Sequence, residues 1–306
     1  MAAKRILLIA NPASGQHRGE RRLAQASERL ASLGHAVTGT LTESAGHATR
    51  LAKSNAPDFE IIAALGGDGT VNEVANGLMA VEPGERPALA TLPVGTGNDV
   101  ALTYGLAHFE SAIDALAKGS TRTLDVIRVQ LMRDGKSVTR HALLFVAAGF
   151  AAEVIRKTGP RVKRIFGRRF SYSVGLFRAL ASFRAPEFSV KWDGGETSGR
   201  MFQVCAGNTE FAAGGVMRIS PGARPDDGLL NISLVGALGR LQIVRRFPSI
   251  LSGRYVEDER VDYFTSKRLE IDAVPPAELQ ADGDIIGTTP ATIELLPGAL
   301  RLVVPQ

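Results

Sequence analysis

One cysteine, Cys205, is all the thiol the chain contains. An internal disulfide and a cysteine-based zinc cluster are thereby excluded, and a reducing compartment fits. Five histidines are scattered without metal-ligand spacing. No stretch reaches the roughly 18 uninterrupted apolar residues of a membrane span. The opening residues, Met1-Ala2-Ala3-Lys4-Arg5-Ile6, run straight into a strand and carry no signal-peptide core. A cytoplasmic protein is the expectation. Internal repeats and low-complexity segments are missing too. No recognised nucleic-acid module surrounds the basic residues, so nucleic acid is not an expected partner.

What is present is an ordinary globular composition. The chain has 306 residues, 44% hydrophobic and 22% charged, with a net charge of +5. That length accommodates two domains of about 100–200 residues each.

The first half alternates short apolar strands with amphipathic helices. Strands are expected at Arg5–Ala10, Ala36–Leu41, Phe59–Leu65 and Pro87–Leu92. Helices are expected around Leu23, Ala26, Leu30 and Leu33, around Leu51-Ala52, over Val71–Met79 and over Glu110–Lys118. This alternation argues for a parallel sheet with helices on its faces, over residues 1–125.

The strand Phe59–Leu65 leads into Gly66-Gly67-Asp68-Gly69-Thr70-Val71-Asn72-Glu73. Glycines at a strand-to-helix turn let a ligand approach the main chain. The helix N-terminus beyond them offers free N–H groups and a positive dipole end, which suits phosphate. Asp68 within that turn suits a hard metal ion or a proton relay. The alternative is a tight strand–helix connection in which Asp68 and Thr70 only cap the helix. Two further polar loops, Asn11-Pro12-Ala13-Ser14-Gly15 and Gly95-Thr96-Gly97-Asn98-Asp99, follow other strands. Ligands of open α/β sheets bind at those carboxyl ends.

After Asp125 strand-like runs dominate: Val126–Met132, Val138–Ala148, Phe188–Trp192, Arg200–Ala206, Leu229–Val235, Arg268–Ile271 and Ala299–Val304. Helices are expected at Ser171–Phe183 and Leu238–Leu251. The second domain, 126–306, therefore reads as an antiparallel sandwich or barrel-like unit, its final segment packing back on the first. Arg156–Arg169 is the most basic stretch, with seven Arg or Lys and no acid. It is either a solvated face or a surface for docking on an anionic membrane.

Together these motifs resemble the diacylglycerol kinase catalytic family, and most closely its bacterial soluble lipid kinases, which are similar to sphingosine and ceramide kinases. The resemblance runs over nearly the whole length. Besides the loops above it includes Asn208 with Gly214-Gly215, Ile219-Ser220-Pro221-Gly222-Ala223, Asp227-Gly228-Leu229-Leu230 and Asp282-Gly283-Asp284. It implies an NAD kinase-like nucleotide-binding α/β domain, a β-rich C-terminal sandwich domain and an active site in the cleft between them. It implies ATP on Gly66, Gly67, Asp68, Gly69, Thr70, Val71, Asn72 and Thr96, with Thr42 nearby. Asp68, Asp99 and Asp125 match a magnesium network. Asp227, with the backbone carbonyls of Arg224 and Leu229, matches a second, structural metal site, unless Asp227-Gly228 is a plain hairpin turn.

The family usually has Asp-Gly-Glu where this chain has Asp282-Gly283-Asp284, so the implied general base is Asp284, one methylene shorter, with Asp68 assisting. Relatives often carry an aspartate where Ala151 stands. The function implied is ATP- and magnesium-dependent phosphorylation of a lipid hydroxyl, in diacylglycerol, phosphatidylglycerol, ceramide or a sphingoid base. That would involve transient contact with the inner membrane face through Arg156–Arg169. Alternatives are a kinase for a soluble acceptor in the manner of NAD kinases, and a catalytically weak nucleotide- or lipid-binding regulator. Oligomeric state is open, a homodimer being one option.

Overall fold

The computed structural model describes residues 3–95, 98–118, 120–133, 135–159 and 174–305. The chain divides into two compact units. The first comprises Met1–Val126, Ala213–Gly215 and Pro297–Gln306; the second comprises Ile127–Ala212 and Val216–Leu296.

The first unit runs β1 (Arg5–Ala10), α1 (Ser14–His17), α2 (Gly19–Ser32), β2 (Ala36–Leu41), α3 (His47–Asn55), β3 (Ile61–Gly66), α4 (Asp68–Met79), β4 (Ala88–Pro93), α5 (Asp99–Thr103) and α6 (Phe109–Lys118). The strands lie parallel in the order β2-β1-β3-β4. All six residues of β3 and all six of β4 are buried, as befits strands covered on both faces. The core on one face combines Ile6, Leu8, Ile61, Ala63 and Leu65 with Ala26 and Leu30 of α2 and Ile113 and Leu116 of α6.

β5 (Thr121–Arg133) carries the chain into the second unit. There follow β6 (Lys136–Ala142), β7 (Phe145–Gly149), α7 (Phe150–Lys157), α8 (174–182), β8 (Glu187–Trp192), β9 (Gly195–Gly207), β10 (Phe211–Ala212) and β11 (Met217–Arg218). Next come β12 (Leu230–Gly236), α9 (Arg240–Ser252), β13 (Val261–Ser266), β14 (Arg268–Val274), β15 (Glu278–Ala281), β16 (Asp284–Thr288) and β17 (Ala291–Val303). β9 serves two sheets. Its first half pairs with β8, which continues to β14 and β17. Its second half pairs with β7 and β12. Apolar residues from both sheets, including Val129, Val190, Leu269 and Ile293 on one side and Val146, Val204, Ile232 and Leu279 on the other, fill one core. This is the β-rich sandwich that the sequence predicts.

Several elements differ from expectation. The run Val138–Ala148 is two strands, interrupted at Leu143-Leu144, because Asp282 captures the backbone there. α7 forms where no helix is expected. β13, β15 and β16 are also additional. The start of the expected Ser171–Phe183 helix falls outside the described residues. Among the described residues no helix is long and apolar enough to cross a membrane.

Candidate functional site

Parallel pairing sets the ends of β1, β2, β3 and β4 side by side: Ala10 opposes Leu41 and Leu65, and Gly66 opposes Pro93. The loops that follow are therefore neighbours. Three hydrogen bonds continue the ladder beyond the strands. The Asn11 N–H donates to Leu65 O (3.1 Å), the Thr42 N–H to Ala10 O (2.8 Å) and the Val94 N–H to Gly66 O (3.0 Å). So Asn11–Gly15, Thr42, Gly66–Thr70 and Gly95 meet along one edge of the sheet. Thr96 lies outside the described residues.

Gly66 has to be a glycine. A Cβ there would sit 2.4 Å from Thr70 Oγ1. The turn is thus closed tightly over Thr70, which is buried. Gly67, the N-cap of α4, is extended and has no side chain to cap the helix. The 12-residue helix thus starts at the loop cluster without a side-chain cap, its Thr70 N–H turned back to Gly67 O at 2.9 Å. Val71 is buried, and its N–H donates to Gly67 O (3.2 Å). Only its position in the turn bears on a ligand. Asn72 is bonded to Asn76, one turn along α4, through a 3.0 Å side-chain contact.

Asp68 heads α4 and reaches across to α5, where its Oδ1 accepts the Val100 N–H at 3.2 Å. Burial pushes its carboxyl above the ordinary value of 3.8, and the nearby charge of Asp99 pushes in the same direction. Backbone N–H groups of Asp99 and Val100 oppose that rise. A desolvated carboxylate beside a second one is a setting that a cation would relieve.

Asp99 is 7% exposed. Its Oδ1 accepts two N–H groups, from Gly214 at 2.8 Å and Gly215 at 2.9 Å. This explains why Ala213–Gly215 belongs to the first unit. Asp125, 2% exposed, accepts the Gly298 N–H at 2.7 Å. Each of the three acids therefore has a structural bond as well. Among the described residues no three His, Cys, Asp or Glu side chains gather around one point. Asp68 and Asp99 lie close enough for the charge of one to act on the other, a donor pair that fits a water-ligated magnesium ion.

Glu73, the last residue of the glycine motif, has a role the sequence does not reveal. Its carboxylate accepts the N–H of Gly46 (2.9 Å) and of Ala48 (3.2 Å). It thereby caps α3 from α4 and fixes the end of the loop that starts at Thr42.

In the second unit Asp284 is exposed and opens β16, paired with Ala281 across the two-residue turn Asp282-Gly283. Asp282 is the better-anchored residue. Its Oδ2 accepts the Leu143 N–H at 2.7 Å, and its Oδ1 accepts those of Leu144 and Phe145, each at 3.0 Å. The Asp282 N–H returns to Phe145 O at 3.1 Å. Asp282 holds a left-handed backbone, φ 48°, under these bonds.

Asp227 accepts the Leu229 N–H at 3.0 Å, a turn closed on its own backbone. Arg224 is exposed on the same loop. Ile219–Ala223 is pinned by tyrosines: Tyr255 donates to Ile219 O, and Tyr263 to Pro221 O at 2.8 Å. Cys205 faces this loop from β9, and burial pushes its thiol up to about 12, so it is inert near neutrality. Ala151, at the start of α7, donates its N–H to Gln203 Oε1 at 3.1 Å.

Of the basic stretch, Arg156 pairs with Glu153 (2.6 Å) and Glu278 (3.1 Å), and Lys157 with Glu153 (3.5 Å). Residues 160–173 lie outside the described residues.

Residues 5–129 match the diacylglycerol kinase catalytic domain, and residues 144–304 match the YegS C-terminal NAD kinase beta sandwich-like domain. The chain is 28% identical over 308 residues to a diacylglycerol kinase of Bacillus subtilis (strain 168), across 99% of this chain and 97% of that protein. A crystal structure of a diacylglycerol kinase from Bacillus anthracis str. Sterne superposes with a TM-score of 0.75 at 25% identity, over 100% of this chain and 98% of that one. Yeast NADH kinase shares the fold alone, with a TM-score of 0.52 at 12% identity over 100% of this chain and 85% of that one.

Proposed function

Since the chain belongs to the diacylglycerol kinase catalytic family and is a kinase, we propose that it transfers the γ-phosphoryl group of ATP to a hydroxyl of a lipid acceptor, with magnesium. The observation that carries this reading is the Asp68–Asp99 pair at the edge where the four loops meet. A desolvated acid beside a helix N-terminus suits a phosphate donor that arrives with a divalent cation.

Phosphoryl transfer needs positioning and charge neutralisation more than covalent help. In this reading the backbone of Gly66–Asn72 and the loop holding Thr96 cradle the phosphates. Thr42, fixed through Glu73's grip on Gly46 and Ala48, borders the nucleotide. Asp68 and Asp99 hold the magnesium, which when bound offsets charge on the phosphates. Asp284 takes the proton of the acceptor hydroxyl as its oxygen bonds to the γ-phosphorus and ADP departs. Exposure of Asp284 supports this role, because a general base must be reachable by the acceptor. Asp227, with the carbonyls of Arg224 and Leu229, is proposed as a second cation site that stiffens its loop.

The test is incubation with labelled ATP and magnesium against vesicles carrying diacylglycerol, phosphatidylglycerol, ceramide or a sphingoid base, with NAD as a soluble acceptor. Label is expected in a lipid. Label in NAD alone would overturn the reading. Asp284→Asn is expected to lower turnover by at least about a hundredfold with ATP binding intact, read by single-turnover kinetics and ATP titration.

A further inference from the structure

α9 is built the wrong way round for a helix that meets water. On a surface helix the exposed face is polar. In α9 the exposed positions include Leu241 (62% exposed), Val244 (57%) and Leu251 (38%), with Arg240 and Arg245 beside them. Spaced three and seven residues apart, these apolar side chains form a stripe along the outer face. On α8, Phe177 is 70% exposed and Arg178 lies next to it.

The stripe has no way to turn inward. The opposite side of α9 is already committed, with Ile243 in a cluster that includes Phe150, Ala179 and Phe202. Arg246 is ion-paired to Asp258. Arg240 Nη2 donates to Ala181 O at 2.7 Å and so ties α9 to the end of α8. Contiguous exposed apolar surface rimmed by polar residues marks an interaction site.

Charge identifies the partner. The 13 residues of α9, RLQIVRRFPSILS, contain three arginines and no acid. Residues 174–184, VGLFRALASFR, contain two arginines and no acid. A second copy of the chain on a two-fold axis would set these arginines against their own images with no carboxylate from either helix to receive them. An anionic lipid surface receives both features together. Its acyl boundary takes the leucines, valine and phenylalanine, and its headgroups take the exposed arginines Arg178, Arg240 and Arg245.

We propose that the outer face of α9, with Phe177 of α8, is the surface by which this protein docks on an anionic bilayer. Arg156 and Lys157 are not counted in the docking face, because their charge is spent on Glu153 and Glu278. The idea draws on the lipid-kinase reading for its purpose, yet binding can be measured without turnover.

The experiment is co-sedimentation of the full chain with vesicles of phosphatidylcholine containing about 30% phosphatidylglycerol, against pure phosphatidylcholine vesicles. The unaltered protein is expected to bind the anionic vesicles. Leu241→Glu/Val244→Glu is expected to bind at least about tenfold more weakly. Arg240→Gln/Arg245→Gln is expected to lose most of the preference for anionic over neutral vesicles. Both variants alter exposed side chains, and unchanged circular dichroism melts check their folding. If the double glutamate variant misfolds, Leu241→Ser/Val244→Ser replaces it. Amide exchange of α9 in the unaltered protein is also expected to slow on vesicle addition.

No binding by the unaltered protein, or equal binding by the variants, overturns the proposal. So does self-association in the ultracentrifuge that Leu241→Glu/Val244→Glu abolishes, since a second copy would then cover the face. Turnover of a monomeric short-chain diacylglycerol, unchanged in the double variant, tests the lipid-kinase reading separately.

Discussion

Burial of Asp68 makes its ionisation a cost that the fold carries. Its folded pKa is raised, so its ionisation opposes folding. Below the ordinary value of 3.8 it is protonated in both states and exerts no penalty. As pH rises through the folded pKa that advantage is lost. Asp68→Asn is therefore expected to melt at a higher temperature than the unaltered protein at pH 7 without divalent cation. The difference should vanish near pH 3. Kinase activity should be lost at every pH.

Asp282 gives a second residue-level prediction. An asparagine there would aim an NH2 group at a backbone N–H of Leu143, Leu144 or Phe145, leaving a clash of donors that costs about 1–3 kcal/mol. The turn that presents Asp284 would shift. Asp282→Asn is expected to lower kcat about ten- to hundredfold with little change in the KM for ATP, as steady-state kinetics would show.

Asp68 and Asp99 stand out in the sequence because glycines surround them. Their partners do not, since Gly214 and Gly215 lie 115 and 116 residues away from Asp99. Asp282 belongs to a visible motif, but its three backbone partners lie in an apolar run that reads as unbroken strand. Glu73 likewise carries no local sign that it caps a helix 25 residues back.

At the level of elements, the parallel strands and their helices are legible because burial on both faces makes apolar runs and 3.6-residue periodicity. The missed strands have other signatures. β13, VDYFTS, mixes charge and aromatics, and only its pairing with β12 makes it a strand. β15 and β16 are four and five residues long.

Contact between α3 and α4 was also invisible in the sequence, although Gly77 sits in the middle of a helical pattern. A Cβ at Gly77 would come 2.4 Å from Thr49 O and 2.7 Å from Ala52 Cβ. Glycine to alanine inside a helix normally stabilises by about 1 kcal/mol. Here the helices would be forced apart, and Gly77→Ala is expected to destabilise by about 1–3 kcal/mol in a denaturant melt. Because Glu73 on the same helix holds the loop after Thr42, the KM for ATP should rise as well.

On the scale of the whole molecule, the α/β unit is not finished by its own contiguous chain. Leu302 of β17 pairs in parallel with Leu89 of β4. Arg86 Nη1 donates to Ala299 O at 2.8 Å, and Asp125 takes the Gly298 N–H. Leu300, Leu302 and Val303 are all buried, at 2% exposure or less. A fragment ending at residue 126 would leave β4, buried along its whole length in the full chain, as a bare edge. It is expected to aggregate on expression. The same fragment with residues 297–305 joined through a flexible linker should stay monomeric, as size-exclusion chromatography would report. The two-part fold class is legible from the change of pattern after Asp125. The detour of Ala213–Gly215 into the first unit is not, because two backbone N–H groups leave no mark on a sequence.

That detour bears on how the protein is made. A ribosome delivers β1 to β4 long before Pro297–Gln306 emerges. Through most of synthesis the first unit therefore has an open strand edge and an Asp99 without the Gly214 and Gly215 N–H groups. A nascent chain in that condition presents an unpaired edge to whatever strand comes near it. Completion of the first unit therefore comes late and in two steps, when Gly214-Gly215 reach Asp99 and when Pro297–Gln306 reach β4.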